Sequence, residues 1–340
     1  MKPYAFGVDL GGNAIKIGLF QTTGNLVEKW TIPARLEDHG SQLLADVVDA
    51  IRAKMAERSL TWDVVEGVGM GVPGPVDQDG TVMRCVNLGW DILNVPQAVR
   101  ELEPAIEKLK VAKELQSLLN MPVEAGNDAN VAALGEMWQG GAQWNNSAVM
   151  VTLGVGIGSG IVVDNKVFVG STGAAGEIGH MCVNPKETER CTCGNYGCLE
   201  QYCSDTGLVH TAQLVLEERP EEPSLLRDGE ITPKTICQAA KKGDAAASEV
   251  LDRFGQLMGQ ALTAVACTVN PQVFVIGGQM AQAGMAILKP IETYFRRYAF
   301  HAFRNTPFVL AELGEDAGIY GSVRMLFDEV KLEEEEELDL

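Results

Sequence analysis

Between Glu177 and Glu200 the chain reads Glu177-Ile178-Gly179-His180, then Cys191-Thr192-Cys193-Gly194-Asn195-Tyr196-Gly197-Cys198-Leu199-Glu200. Three thiols and an imidazole fall within one short stretch, flanked by two carboxylates. His180, Cys191, Cys193 and Cys198 form the ligand set of a closed tetrahedral zinc site, and soft thiolates favour zinc over magnesium or calcium. Carboxylates are poor ligands beside thiolates, so Glu177 and Glu200 read as groups that the knot presents to something polar, such as sugar hydroxyls. A disulfide pair or unrelated buried cysteines are the alternatives. They fit less well, because no secretory signal is recognised ahead of them and a reducing cytosol disfavours disulfides.

With 340 residues, 46% of them hydrophobic, the chain can bury a large core, and two lobes are expected. No apolar stretch approaches the roughly 20 residues of a membrane span, and Met1–Asp9 runs into a strand rather than a signal region. A soluble, cytoplasmic protein is expected. The formal charge of -19 opposes extended contact with nucleic acid or anionic membranes. Part of that excess is the run Glu333–Glu337, read as the core of a solvated, disordered tail over 333–340.

Along the chain, apolar strands are predicted over 4–9, Ile15–Phe20 and Val27–Ile32, with turns at Gly11-Gly12 and Thr22–Asn25. A helix over Ser41–Arg58, capped by Ser41, and a strand over Val64–Val72 follow. A second instance starts with a short strand, Val123–Ala125, and a helix, Ala129–Trp138. Strands Val149–Leu153 and Gly160–Val163 are then joined by Gly154–Gly160, Lys166–Val169 extends the meander, and Val273–Ile276 ends in Gly277-Gly278. This weak duplication implies two lobes with a cleft between them. Further helices are predicted over Gln213–Lys234, running into the polar Glu217–Pro223, and over Ile236–Lys242, Ala245–Val269 and Asp316–Phe327.

No Gly-x-x-x-x-Gly-Lys-Ser/Thr loop is present, and Gly69–Gly74 matches the dinucleotide pattern only by count, since Pro73 and Pro75 make a turn instead of opening a helix. The turns Asp9–Ala14 and Gly154–Gly160 each join consecutive strands. Glycines there let backbone N–H groups converge on an anion, and together they suggest a clamp on a nucleotide–metal complex.

The stretches Asp9-Leu10-Gly11-Gly12, Val72–Val76, Asn87–Trp90, Gly126–Asn130, Glu177–His180, Cys191–Glu200 and Asn270–Gly278 together resemble the ROK (repressor, open reading frame, kinase) family of sugar kinases. The resemblance covers the chain to about 328 and is closest in pattern to the glucokinases of Gram-positive bacteria. It implies an α/β, two-lobed actin-like ATPase (ribonuclease H-like) fold, with a smaller lobe over 1–118 and 317–332 and a larger lobe, carrying the zinc loop, over 119–316. It implies ATP-dependent phosphorylation of glucose or a close hexose at the 6-hydroxyl, with Asp128 as general base. Gly74, Asn87, Asn127, Glu177, His180 and Glu200 would hold the sugar. Asp9, Gly11, Gly12, Asn13, Lys16, Gly154, Val155, Gly156, Gly277 and Gly278 would hold Mg²⁺ and ATP, and His180, Cys191, Cys193 and Cys198 the structural zinc. A homo-oligomer, dimer or tetramer, is expected. Read from the residues alone, Asp128 could instead serve as the cap of its helix.

Two turns depart from the family pattern. Asn13-Ala14 stands where Thr-Thr is usual, Val155 replaces a hydroxyl residue, and Ser159 replaces a glycine. A missing donor to a phosphate oxygen costs ~1–3 kcal/mol. These departures keep open a kinase for another sugar such as N-acetylmannosamine, a different phosphate donor, or a sugar-binding regulator with impaired catalysis. A transcription repressor of the same family needs a DNA-binding helix-turn-helix ahead of the first strand, and Asp9 comes too early for one.

Overall fold

The computed structural model describes residues 1–82, 85, 88, 90, 93–94 and 122–338; Asn87 lies outside them. The chain forms two compact units, one of Met1–Gln143, Gly160–Ala175 and Glu315–Leu340, the other of Trp144–Ser159 and Gly176–Gly314. Pro122–Gln143 thus cluster with the first unit, whereas the sequence reading gave them to the larger lobe. The reason is strand pairing.

In the first unit β1 (Tyr4–Leu10), β2 (Ala14–Gln21) and β3 (Leu26–Pro33) form an antiparallel meander, β4 (Val65–Val72) pairs parallel with β1, and β5 (Val123–Asn127) pairs parallel with β4. The order is β3-β2-β1-β4-β5. Strand β4 shows how its sequence, Val65-Glu66-Gly67-Val68-Gly69-Met70-Gly71-Val72, serves two faces with period two. Val68, Met70 and Val72 join a core with Phe6, Val8, Ile15, Ile17 and the apolar stripe Leu43, Leu44, Val47, Val48, Ile51 and Met55 of α1 (Leu43–Arg58). Gly67 and Gly69 face the C-terminal helix (Ala317–Leu338), and a Cβ on Gly69 would lie 1.8 Å from the Ser322 carbonyl oxygen. Helix backbone therefore rests directly on strand backbone. Ala5, Phe20, Ile319, Val323 and Leu326 seal that second layer, with Trp138 of α2 (Asp128–Gln139) edge-on to Phe327 and Tyr320.

Two local expectations are corrected. Ser41 does not cap α1, whose N-cap is Gln42 without a side-chain bond. The C-terminal helix backbone runs on to Leu338, through the glutamate run that was expected to be unstructured.

The second sheet contains β6 (Ala148–Leu153), β7 (Ile157–Val163), β8 (Lys166–Val167), β9 (Val273–Gly277) and β10 (Phe308–Leu310), in the order β8-β7-β6-β9-β10. Numbered within each sheet, both orders are third-second-first-fourth-fifth, so the duplication is one of topology as well as of turns. Strands β6, β9 and β10 are parallel, as fits their buried apolar runs. Helix α3 (Asp205–Glu218) ends two residues into the polar stretch Glu217–Pro223 and α4 (Pro233–Lys241) starts after it, correcting the single helix read over Gln213–Lys234. Ser204 caps α3 and the Thr232–Thr235 box caps α4. Helix α5 spans Ala245–Val269 as expected and packs on α6 (Met285–Tyr298), where Phe295 joins Phe274 and Phe308 at centroid distances of 5.4 and 5.0 Å. Among the described residues, no helix is long and apolar enough to cross a membrane.

Candidate active site

In the first unit, β5 delivers Asn127 and Asp128 to the start of α2. Asn127, not Asp128, is the N-cap: its Oδ1 accepts from Asn130 N at 3.0 Å. Its Nδ2 donates to the Gly74 carbonyl and to Asp128 Oδ1, both at 3.0 Å. Gly74 adopts φ +95°, a conformation that keeps its carbonyl within reach of Asn127. Asp128 Oδ1 also accepts from Ala129 N at 2.8 Å. The helix cap is thus supplied by the neighbour, and the exposed Asp128 carboxylate is oriented by two donors on one oxygen.

The turn from β1 to β2 closes through Gly11 N donating to Ala14 O at 3.1 Å, with Gly12 and Asn13 exposed. Asp9 and Lys16 are directly opposite in the β1–β2 register, hence on one face of the sheet. Burial pushes the Asp9 carboxyl up and Lys16 opposes it. A cation beside Asp9 would favour the ionised form further. The Asp9 carboxylate lies against the first turn of the C-terminal helix, and a Cβ on Gly318 would stand 2.9 Å from its Oδ2. Lys16 Nζ donates to Glu315 Oε2 and to the Glu315 carbonyl, both at 3.0 Å.

In the second unit the cysteine loop contains a tight turn, in which Gly194 N donates to Cys191 O at 2.9 Å, and is tied back to the segment after His180 by Val183 N donating to Gly197 O at 2.7 Å. His180 Nδ1 stands 4.0 Å from Cys191 Sγ, Cys193 and Cys198 Sγ are 3.6 Å apart, and all four donor atoms lie within 4.8 Å of one another. A tetrahedral zinc with bonds of about 2.3 Å to sulfur places its sulfurs roughly 3.8 Å apart, so this donor set fits. Burial pushes the Cys198 thiol up to about 12, with the neighbouring thiols adding to the shift, so metal binding must displace a firmly held proton. Cys182, two residues after His180, is exposed and outside the cluster.

Glu177 is exposed at the start of the short helical turn Ile178–His180. Glu200 follows the last cysteine and is half-buried. Its Oε2 accepts from Ile157 N at 2.9 Å and its Oε1 lies 3.5 Å from Thr192 Oγ1. The glycine turn 154–160, expected to face phosphates, is in part the seat of this carboxylate: a Cβ on Gly156 would stand 2.6 Å from Glu200 Oε2. Val155 is 81% exposed. Ser159 is buried, and its hydroxyl donates to the Gly176 carbonyl, which accounts for the serine without a phosphate. At the end of β9, Gly277 is buried and Gly278 adopts φ +82°, where a Cβ would lie 2.4 Å from Leu153 O. Asp205, the first residue of α3, has no part in the sequence reading, which starts its helix only at Gln213. Its Oδ1 is buried without a hydrogen-bond partner.

The ROK family model matches residues 5–329. The chain belongs to the ROK family. It is 35% identical to a glucokinase of Halalkalibacterium halodurans over 93% of this chain and 92% of that one. It is also 29% identical to the xylose repressor of Caldicellulosiruptor bescii, over 95% of this chain and 78% of the repressor. Among solved structures, a ROK family glucokinase from Streptomyces griseus in complex with glucose and AMPPNP is 31% identical, with a TM-score of 0.69 over 95% of this chain and 98% of that one.

Proposed function

We propose that this ROK hexose kinase transfers the terminal phosphoryl group of ATP to the 6-hydroxyl of glucose. The hydroxyl oxygen attacks the γ-phosphorus, its proton passes to Asp128, and ADP leaves. Phosphoryl transfer asks the protein for positioning and charge neutralisation more than covalent help. Asp128 is suited to the proton: exposed, oriented by two donors, and released from capping because Asn127 performs that task. That division of labour is the observation that carries the reading.

Glu177, His180 and Glu200 are assigned to the sugar hydroxyls, with Gly74 and Asn127 beside the base. If His180 binds zinc through Nδ1, its Nε2–H is left as a donor. Zinc in the Cys₃His set would supply rigidity, holding the loop that leads into Glu200. Asp9 would hold Mg²⁺ of the Mg–ATP complex through water, as suits an ion that takes few carboxylates. Lys16, the Gly11–Ala14 turn, the Gly154–Gly156 turn and Gly277-Gly278 are assigned to the nucleotide. The relatives of matching length named glucokinases favour glucose.

A coupled assay with glucose, mannose and N-acetylmannosamine against ATP tests the substrate. Glucose should give the highest kcat/KM. Asp128→Asn should lower kcat by about 10²–10⁴ while glucose affinity changes only a few-fold, because an amide still hydrogen-bonds the hydroxyl and cannot take its proton. Turnover near wild type in that variant would remove Asp128 from the chemistry.

A further inference from the structure

The second unit contains a cavity of about 490 Å³, lined by Asp205, Thr232, Lys234, Gln238, Lys241 and Gln279 among others. That volume lies within the usual span of small-molecule sites, roughly 300–1,000 Å³. Its walls come from the start of α3, from α4 and from the segment that follows Gly277-Gly278. In an α/β unit the carboxyl end of a parallel strand is the common place for a ligand.

Two of the polar groups around this cavity are engaged by the fold itself. Thr232 is committed to the α4 capping box, and Lys241 Nζ lies 3.4 Å from the Ala283 carbonyl oxygen. Asp205 differs in that its Oδ1 is buried without a partner. Ser204 already caps α3, and among the described residues Asp205 Oδ1 is the one buried side-chain oxygen or nitrogen without a hydrogen-bond partner. Burial pushes its carboxyl above the usual carboxylate range, with no compensating donor. An ionised carboxylate only accepts hydrogen bonds, so an occupant that relieves Asp205 must bring donors. Phosphate oxygens bring negative charge and acceptors. A pair of vicinal hydroxyls brings two donors, one for each carboxylate oxygen, and the soft χ2 torsion of aspartate lets both oxygens turn toward them.

We propose that Asp205 selects the phosphate donor, its carboxylate accepting hydrogen bonds from the vicinal ribose hydroxyls of a nucleoside triphosphate seated in this cavity. The proposal rests on the reading of the chain as a nucleotide-dependent kinase and deepens it: the donor is a ribonucleotide, and a deoxyribonucleotide or an inorganic polyphosphate is discriminated against at this residue.

The test compares ATP, 2′-deoxyATP, 3′-deoxyATP and inorganic tripolyphosphate as donors at saturating glucose, in wild type, Asp205→Ala and Asp205→Asn. Calorimetric binding of the three nucleotides serves as a second readout that does not require turnover. Losing a hydrogen bond to a charged group corresponds to about ten- to a hundredfold in affinity, so wild type should prefer ATP over either deoxy analogue by that order. Asp205→Ala removes both acceptors, so it should raise KM and Kd most for ATP, which loses two contacts, and less for each deoxy analogue, which loses the one it keeps, bringing the three nucleotides to a common level with the KM for glucose within a few-fold. Asp205→Asn keeps the shape and should fall between the two. Equal losses for ATP and the deoxy analogues would overturn the proposal and leave Asp205 as a helix-start residue. So would wild type that binds all three nucleotides alike, even with ATP fully active, since the kinase reading would then survive without a ribose contact. Phosphorylation by tripolyphosphate with none by ATP would overturn both.

Discussion

In the Glu177–Glu200 segment, function depends on which side chains are present; in the turns Gly11–Ala14 and Gly154–Gly160, it depends on the path of the backbone. The segment gathers one imidazole nitrogen and three sulfurs within 4.8 Å, and none of the four can be exchanged without changing the coordination chemistry. The first turn closes with a single backbone bond, Gly11 N to Ala14 O, and exposes Gly12 and Asn13. A side-chain site announces itself by composition. A backbone site can change its sequence while keeping its shape, which is why Asn13-Ala14 and Val155 say little about phosphate contacts while the cysteine pattern names a donor set that fits zinc. The two kinds of site meet at Gly156, a turn residue whose missing Cβ makes room for the Glu200 carboxylate.

Breaking the segment should have the largest effect. Cys193→Ser removes one of four ligands, and structural zinc contributes on the order of 10 kcal/mol of binding free energy in small domains, so partial loss is enough to loosen the loop. The variant should lose its one zinc per chain by elemental analysis, unfold at lower temperature, and bind glucose at least tenfold more weakly in calorimetry. Zinc lost with glucose affinity intact would mean that the segment and the sugar site are independent.

The same contrast explains what could be read from the sequence. The ligand set was legible because Cys-x-Cys and the trailing Cys and Glu are chemistry-bearing residues at short spacing. Strand-turn-strand periodicity gave both meanders, and the 25-residue α5 was plain from its length and apolar stripe. Helix α6 was not, because Pro290 inside it reads as a breaker; here the proline packs against Gly255 of α5, where a Cβ would lie 2.4 Å from Pro290 Cβ. Ser159 looked like a change at a phosphate contact, and only the fold reveals its buried partner, the Gly176 carbonyl. Ser41 was read as a cap that the structure does not use, and Asp128, read as a base with capping as the alternative, leaves the cap to Asn127. Asp205 was silent because an unpartnered carboxylate is a property of its surroundings.

Gly156→Ala sharpens the comparison at the point where the two kinds of site touch. The added methyl would force the Glu200 carboxylate away from Ile157 N, breaking a 2.9 Å hydrogen bond and moving a group assigned to the sugar. A hydrogen bond to a charged group is worth ~1.5–3 kcal/mol, so the KM for glucose should rise by about tenfold or more, with the KM for ATP changed far less. The opposite split, in which the ATP term moves and the glucose term does not, would make Gly156 a phosphate residue whose contact with Glu200 is incidental.

The smallest effect is expected from restoring side-chain chemistry to the turns themselves, with Ala14→Thr and Val155→Thr combined. A hydroxyl aimed at a phosphate oxygen could contribute ~1.5–3 kcal/mol in a dry site. Val155 is 81% exposed, so water competes for the same oxygen and most of that gain is lost. Ala14 lies at the first residue of β2, where a threonine suits the strand and should not disturb the Gly11 N to Ala14 O bond that shapes the turn. The double variant should therefore improve kcat/KM for ATP by a few-fold at saturating glucose, with the glucose term unchanged. No change, or a loss, would mean that these turns bind their donor through backbone N–H groups alone, and that hydroxyls at the two positions are dispensable in this chain.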